Sequence, residues 1–157
     1  CVDYFKLLNY NLGYPFPYAQ TGNLGYAYEM WTDPVSKAFN QGTEYELVTN
    51  INDLKIGDMV ILGPSSISQY GHNAIIDSGL ITNPPGLTGV YAYMVGQNQV
   101  NPNPTTGHEV TRTLLNVGGF LGAYRLKRWN QTPPTPTYRK GKFPWYMVTR
   151  KRLTKRR

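Results

Sequence analysis

Apolar residues in the opening stretch VDYFKLLNY recur at Val2, Phe5 and Leu8, and again at Tyr4 and Leu7. That spacing predicts a short helix over 2–10 with one buried face. Residues 11–25 are rich in Gly, Pro and Asn and read as loop. Over 26–38, Ala27, Met30 and Trp31 can share a helical face, so a second helix is expected, stopped or kinked by Pro34. From Glu44 the period changes. Residues 44–48 read as a short strand or extended segment, and a turn-rich run leads to Met59-Val60-Ile61-Leu62. Four consecutive apolar residues bounded by Asp58 and Gly63 predict a central strand. A serine-rich loop precedes a second strand at 71–76, residues 79–89 are loop around Pro84-Pro85, and 90–95 form a third strand. A Pro/Asn loop over 98–107 leads to two more strands, 109–115 and 119–125. One or two helices followed by about five short strands, with no helix between them, predicts an α+β fold with an antiparallel sheet.

Length and charge refine this picture. A chain of 157 residues suits one domain with an appendage. No apolar stretch approaches the ~18 residues of a spanning helix, and no basic-then-apolar signal segment opens the chain. It begins at Cys1 rather than Met, which points to processing or to residues upstream. The net charge of +7 is unevenly divided. Residues 1–124 hold four basic residues (Lys6, Lys37, Lys55, Arg112) against all nine acids, whereas 125–157 hold the other twelve basic residues and no acid. The basic balance therefore belongs to a tail. QTPPTPT at 131–137 reads as a Pro/Thr linker. The expected organisation is a domain over 1–130, a linker over 131–137 and a basic tail over 138–157, too short to fold alone.

Few residues can carry chemistry. A single cysteine excludes an internal disulfide and a Cys-rich zinc or iron–sulfur site. No glycine run fits a P-loop or a dinucleotide fingerprint. Cys1 stands at the start of the first expected helix, where unpaired N–H groups and the helix dipole favour a thiolate. By composition alone, a lone cysteine is more often a small buried hydrophobe. His72 follows Gly71 at the start of an apolar strand, and a histidine on a strand end can meet a helix N-terminus across a cleft, as a Cys–His pair requires. His108, within Thr-Gly-His-Glu, reads as a solvated surface residue. A third residue to orient His72 should come from a neighbouring strand, and Gln97 and Asn98 are best placed, with Asp77 as another acceptor.

The order of these residues resembles the CHAP family of cysteine, histidine-dependent amidohydrolases and peptidases found in phage lysins and virion-associated wall hydrolases. The family's Q-C-x-D-[YF/W] opening is similar to Cys1-Val2-Asp3-Tyr4-Phe5, and its G-N-A-x-x-W motif resembles Gly25–Trp31, with Tyr in the Asn place and one residue more. L-x-P-G-D resembles Leu54-Lys55-Ile56-Gly57-Asp58, with Ile for Pro, and G-H-[VT]-A-I-V resembles Gly71–Ile76. E-Q-N resembles Gly96-Gln97-Asn98, with glycine in place of the carboxylate, and the closing G-x-x-R strand resembles Gly122–Arg125. The motifs keep the family order and cover about residues 1–128.

The resemblance implies a papain-like (NlpC/P60-like) fold, with N-terminal helices packed on the sheet. It implies hydrolysis of an amide bond in peptidoglycan, either as an endopeptidase or as an N-acetylmuramoyl-L-alanine amidase. Cys1 would be nucleophile, His72 base and Asn98 the orienting residue in place of the missing Glu. Tyr14, Trp31, Tyr70 and Gln97 would bind substrate. No cofactor is required; some members bind calcium, for which Asp3 would be a ligand. The partner would be bacterial peptidoglycan, with phage tail proteins contacted through the basic tail, and the setting a phage virion or host-cell lysis. Other readings stay open: an N-terminal-nucleophile hydrolase using the α-amine as base, an inactive structural part of a phage tail, or a nucleic-acid or polyanion binder acting through Phe143, Trp145 and Tyr146 in the basic tail.

Overall fold

A computed structural model describes residues 1–11, 19–65, 68–99 and 109–130. The linker 131–137, the tail 138–157, Tyr14 and His108 lie outside the described residues. The expected first helix is α1 (Val2–Asn11), which buries Phe5 and Asn9. The expected second helix is two: α2 (Glu29–Thr32) and α3 (Pro34–Gln41). Pro34 is the reason. It cannot continue α2 but is favoured in the first turn of α3, where the Asp33 carboxylate accepts from Ser36 N at 2.8 Å and caps the new helix. Buried Glu29 accepts from Tyr26 N at 2.8 Å and ties the approach to α2.

The sheet has seven strands among the described residues: β1 (Tyr45–Val48), β2 (Met59–Leu62), β3 (His72–Ile76), β4 (Ile81–Thr82), β5 (Val90–Gln97), β6 (Val110–Asn116) and β7 (Phe120–Leu126). Their order is β1-β7-β2-β3-β5-β4, with β6 also paired to β5, and every pairing is antiparallel. The α+β, antiparallel expectation describes this sheet, but about five strands was too few. β1 takes the segment left as strand or extended. β4 falls inside the expected loop 79–89, because Asn83 Oδ1 accepts from Gly89 N at 2.8 Å and folds Ile81 and Thr82 back onto Tyr91 and Val90.

β2 is central and buried at all four positions. Its alternate side chains feed two cores. Met59 and Ile61 join Phe5, Met30, Tyr45, Tyr124 and Leu126 on the helix side, while Val60 and Leu62 join Ala74, Ile76, Ala92, Met94 and Ala123 on the other. A strand covered on both faces reads as a continuous apolar run, which is why this segment was legible as central.

Two of the motifs meet at one buried ion pair. The Asp58 carboxylate accepts from Arg125 Nε at 2.8 Å and Nη2 at 2.7 Å, and from Lys55 N at 2.8 Å. Arg125 Nη2 also donates to the Asp53 carbonyl at 2.6 Å. The pair pins the turn before β2 to the end of β7. No helix among the described residues is long and apolar enough to cross a membrane.

Candidate active site

Cys1 immediately precedes α1 and is half-buried. Its carbonyl accepts from Tyr4 N at 3.0 Å, so the residue stands at the helix entrance with the N–H groups of the first turn around it. Val2, at that end of α1, and Leu8 further along it pack on the helix-side core.

His72 is the first residue of β3, paired with Leu62 of β2. The turn that delivers it is fixed at several points. Ser68 Oγ donates to the Gly71 carbonyl at 3.0 Å, and Tyr28 N, at the entrance to α2, donates to the Tyr70 carbonyl at 3.3 Å. Gly71 has φ of +68°, and a Cβ there would lie 2.6 Å from the Leu62 carbonyl oxygen and 2.8 Å from Tyr28 Cβ. Only glycine fits both the left-handed backbone and the close approach. His72 Nε2 is buried and has no hydrogen-bond partner among the described residues.

Burial is the main cause that pushes the His72 pKa down to about 4. Helix α1 packs against β3, so the two expected reactive residues come from neighbouring elements. At neutral pH the imidazole is uncharged and has a free lone pair, the state a proton acceptor needs.

The strand register places Asn98. Ile76 pairs with Met94 and Ile75 with Val95. The two strands stay close as far as Gly96, where a Cβ would lie 3.2 Å from Ala74 Cβ, and Asn98 follows just past the end of β5. Asn98 has φ of +63° and follows the last residue of β5. Its Oδ1 is buried and, like His72 Nε2, has no hydrogen-bond partner among the described residues. The expected bond from His72 to Asn98 Oδ1 is therefore not formed in this structure. Asp77 stands at the opposite end of β3, roughly 16 Å along the strand from His72, and pairs with Arg112 instead.

The expected substrate residues are placed as follows. Tyr70 is 49% exposed beside His72 and meets the Tyr26 ring edge-on at 4.9 Å, with Tyr28 5.8 Å from Tyr26. Tyr26 and Tyr28 were not singled out from the sequence. Gln97 is half-buried at the end of β5. Trp31 is turned into packing: its ring lies over Gly122, meets Tyr124 at 5.5 Å and carries Lys37 Nζ 3.8 Å above it. Asp3 is exposed and pairs with Lys6 at 3.4 Å. No group of three His, Cys, Asp or Glu residues suited to a metal ion occurs among the described residues. A cavity of about 240 Å³ opens between α1 and the Asp77 end of the sheet, lined by Tyr4, Phe5, Leu8, Ile75 and Val95 among others; it includes neither Cys1 nor His72.

No family model matches the chain, and no curated protein matches it. Among solved structures, it is similar to the crystal structure of a wild-type endolysin, LysIME-EF1, with 23% identity and a TM-score of 0.43. The likeness covers 54% of this chain and 38% of that one, well under half of the endolysin's length.

Proposed function

We propose that the chain is a cysteine-dependent peptidoglycan hydrolase with a papain-like CHAP fold. The observations that carry the reading are the placement of Cys1 at the entrance of α1, the packing of α1 against β3, and a buried His72 with Nε2 unpartnered among the described residues at the start of β3. The motif order in the sequence supplies the substrate class.

In the reaction, His72 takes the proton from the Cys1 thiol, and the thiolate attacks the carbonyl carbon of an amide in a wall peptide. The tetrahedral intermediate collapses as His72 returns that proton to the leaving amine, so the C–N bond breaks and a thioester remains on Cys1. His72 then deprotonates a water, which attacks the thioester; the acid is released and the thiol restored. Asn98 would accept from the imidazole N–H and fix its tautomer, as the resemblance implies. An amide stabilises imidazolium less than a carboxylate does, so the Gly96-Gln97-Asn98 version of the motif suits a slower enzyme. Tyr70, with Tyr26 and Tyr28, would form a wall of the cleft next to His72.

The test is digestion of purified peptidoglycan followed by mass spectrometry of the fragments. Wild-type protein should release fragments bearing one new amine and one new carboxyl per cut, and their masses distinguish bridge or stem cleavage from the muramoyl–alanine bond. Cys1→Ala should lower the rate at least about a thousandfold with the fold retained. Undigested sacculi would favour the reading as an inactive structural component, and a Cys1→Ala variant that still cuts would overturn the cysteine-dependent mechanism.

A further inference from the structure

Position 96 is where the motif expects a carboxylate, and the structure fills that space with a different side chain. Beyond Gly96 the strand ends, the chain turns through Asn98 at φ +63°, and the Gln99 side chain folds back over the strand it has just left. With its amide oxygen toward Gly96, Gln99 accepts from Gly96 N at 2.8 Å. Its NH2 group then donates to the carbonyls of Met94 at 3.1 Å and Thr111 at 3.2 Å, and reaches Thr113 Oγ1 at 3.2 Å. One side chain thus ties the bend to both β5 and β6.

The arrangement depends on glycine. A Cβ at position 96 would lie 2.7 Å from the Gln99 amide, with Ala74 Cβ at 3.2 Å and the Asn73 carbonyl oxygen at 3.4 Å on its other sides. A side chain at 96 and the folded-back Gln99 exclude one another. Asn98, between them, has a left-handed backbone that a residue with a Cβ adopts reluctantly, and its Oδ1 makes no hydrogen bond among the described residues. What holds Asn98 in place is therefore the closure of the bend around it.

We infer that Gln99 is a positioning residue that, by bonding back to Gly96 and across to β6, fixes the bend that presents Asn98 for its role in orienting His72. The inference rests on the reading of Asn98 as the residue that orients His72. Gln99 does not touch the reacting atoms; it acts through the Asn98 backbone.

The test reads the tautomer of His72 in the full chain, from its imidazole ¹⁵N shifts at pH 7, assigned against a His108→Gln variant. Wild type should hold one tautomer. Asn98→Ala should bring the two tautomers towards an even mixture, and Gln99→Ala should do the same. The Asn98→Ala/Gln99→Ala double variant should look like Asn98→Ala alone, because both act on one contact. Should Gln99→Ala not fold, Gly96→Ala expels the amide by filling its space and should give the same mixture. If Asn98→Ala mixes the tautomers while Gln99→Ala and Gly96→Ala do not, Gln99 has no positioning role. If Asn98→Ala leaves the tautomer as in wild type, Asn98 does not orient His72, and the role of Gln99 falls with it.

Discussion

Arg125→Leu tests whether the Asp58 pair is a cornerstone of the sheet. The Asp58 side chain is 2% exposed and that of Arg125 11%, so both groups of the ion pair are withdrawn from water. Asp58 has three donors within 2.8 Å, two from the guanidinium and one from Lys55 N. Leucine removes two of the three and leaves a buried carboxylate with one backbone bond, a change that costs about 3–5 kcal/mol. The Asp53 carbonyl also loses its Arg125 donor. For a domain of this size that loss lowers Tm by about 10–20 °C. The exposed Lys6–Asp3 pair sets the contrast: Lys6→Ala should cost less than about 0.5 kcal/mol. Adding Asp58→Asn to Arg125→Leu removes the orphaned charge and should recover part of the loss, which a urea-unfolding double-mutant cycle reads as a coupling energy above about 1 kcal/mol. An Arg125→Leu Tm within 3 °C of wild type, or additive single variants, would refute the argument that burial makes this pair costly to break.

Two further outcomes follow from the site. Because the folded His72 pKa is near 4 and the unfolded value about 6.5, the unfolded chain binds more protons between them; stability present above pH 6.5 is lost as pH falls towards 4. The urea midpoint of wild type should therefore fall more steeply from pH 7.5 to 4.5 than that of His72→Gln, by about 2 kcal/mol of unfolding free energy; parallel profiles would mean the imidazole is not buried neutral. Gly71→Ala should cost at least about 2 kcal/mol, from left-handed strain together with the Leu62 and Tyr28 contacts, whereas Gly25→Ala, equally left-handed at φ +76° but with open space, should cost only about 1 kcal/mol. Equal thermal shifts for the two would show that the close approach does not matter.

Legibility in the sequence followed the range of the interactions. β2 and β3 were readable because burial on both faces writes itself as a local apolar run, and α1 because its buried face repeats locally. Pro34 announced an interruption, but the restart as α3 depends on Asp33 capping Ser36, a bond with no periodic signature. β4 was hidden inside a loop because two residues carry no pattern, and only the Asn83–Gly89 bond reveals the hairpin. In the site, Cys1 and His72 stood out by residue type and motif. Asp58 and Arg125 were marked as motif residues, yet their partnership spans 67 positions and belongs to the tertiary fold. Gln99 left one trace, the glycine at 96 where a carboxylate was expected, and reading it required the β5 register.

The alkylation rate of Cys1 by iodoacetamide at pH 7, compared between wild type and His72→Ala, tests the Cys1–His72 pairing most directly, because it needs no substrate. If His72 withdraws the thiol proton, wild type reacts at least about tenfold faster than His72→Ala, and its rate–pH curve has a midpoint below the ~8.5 of a free thiol. A Cys1 that reacts at the same rate in both proteins, or stays inert in the folded wild type, would contradict the pairing and the hydrolase built on it.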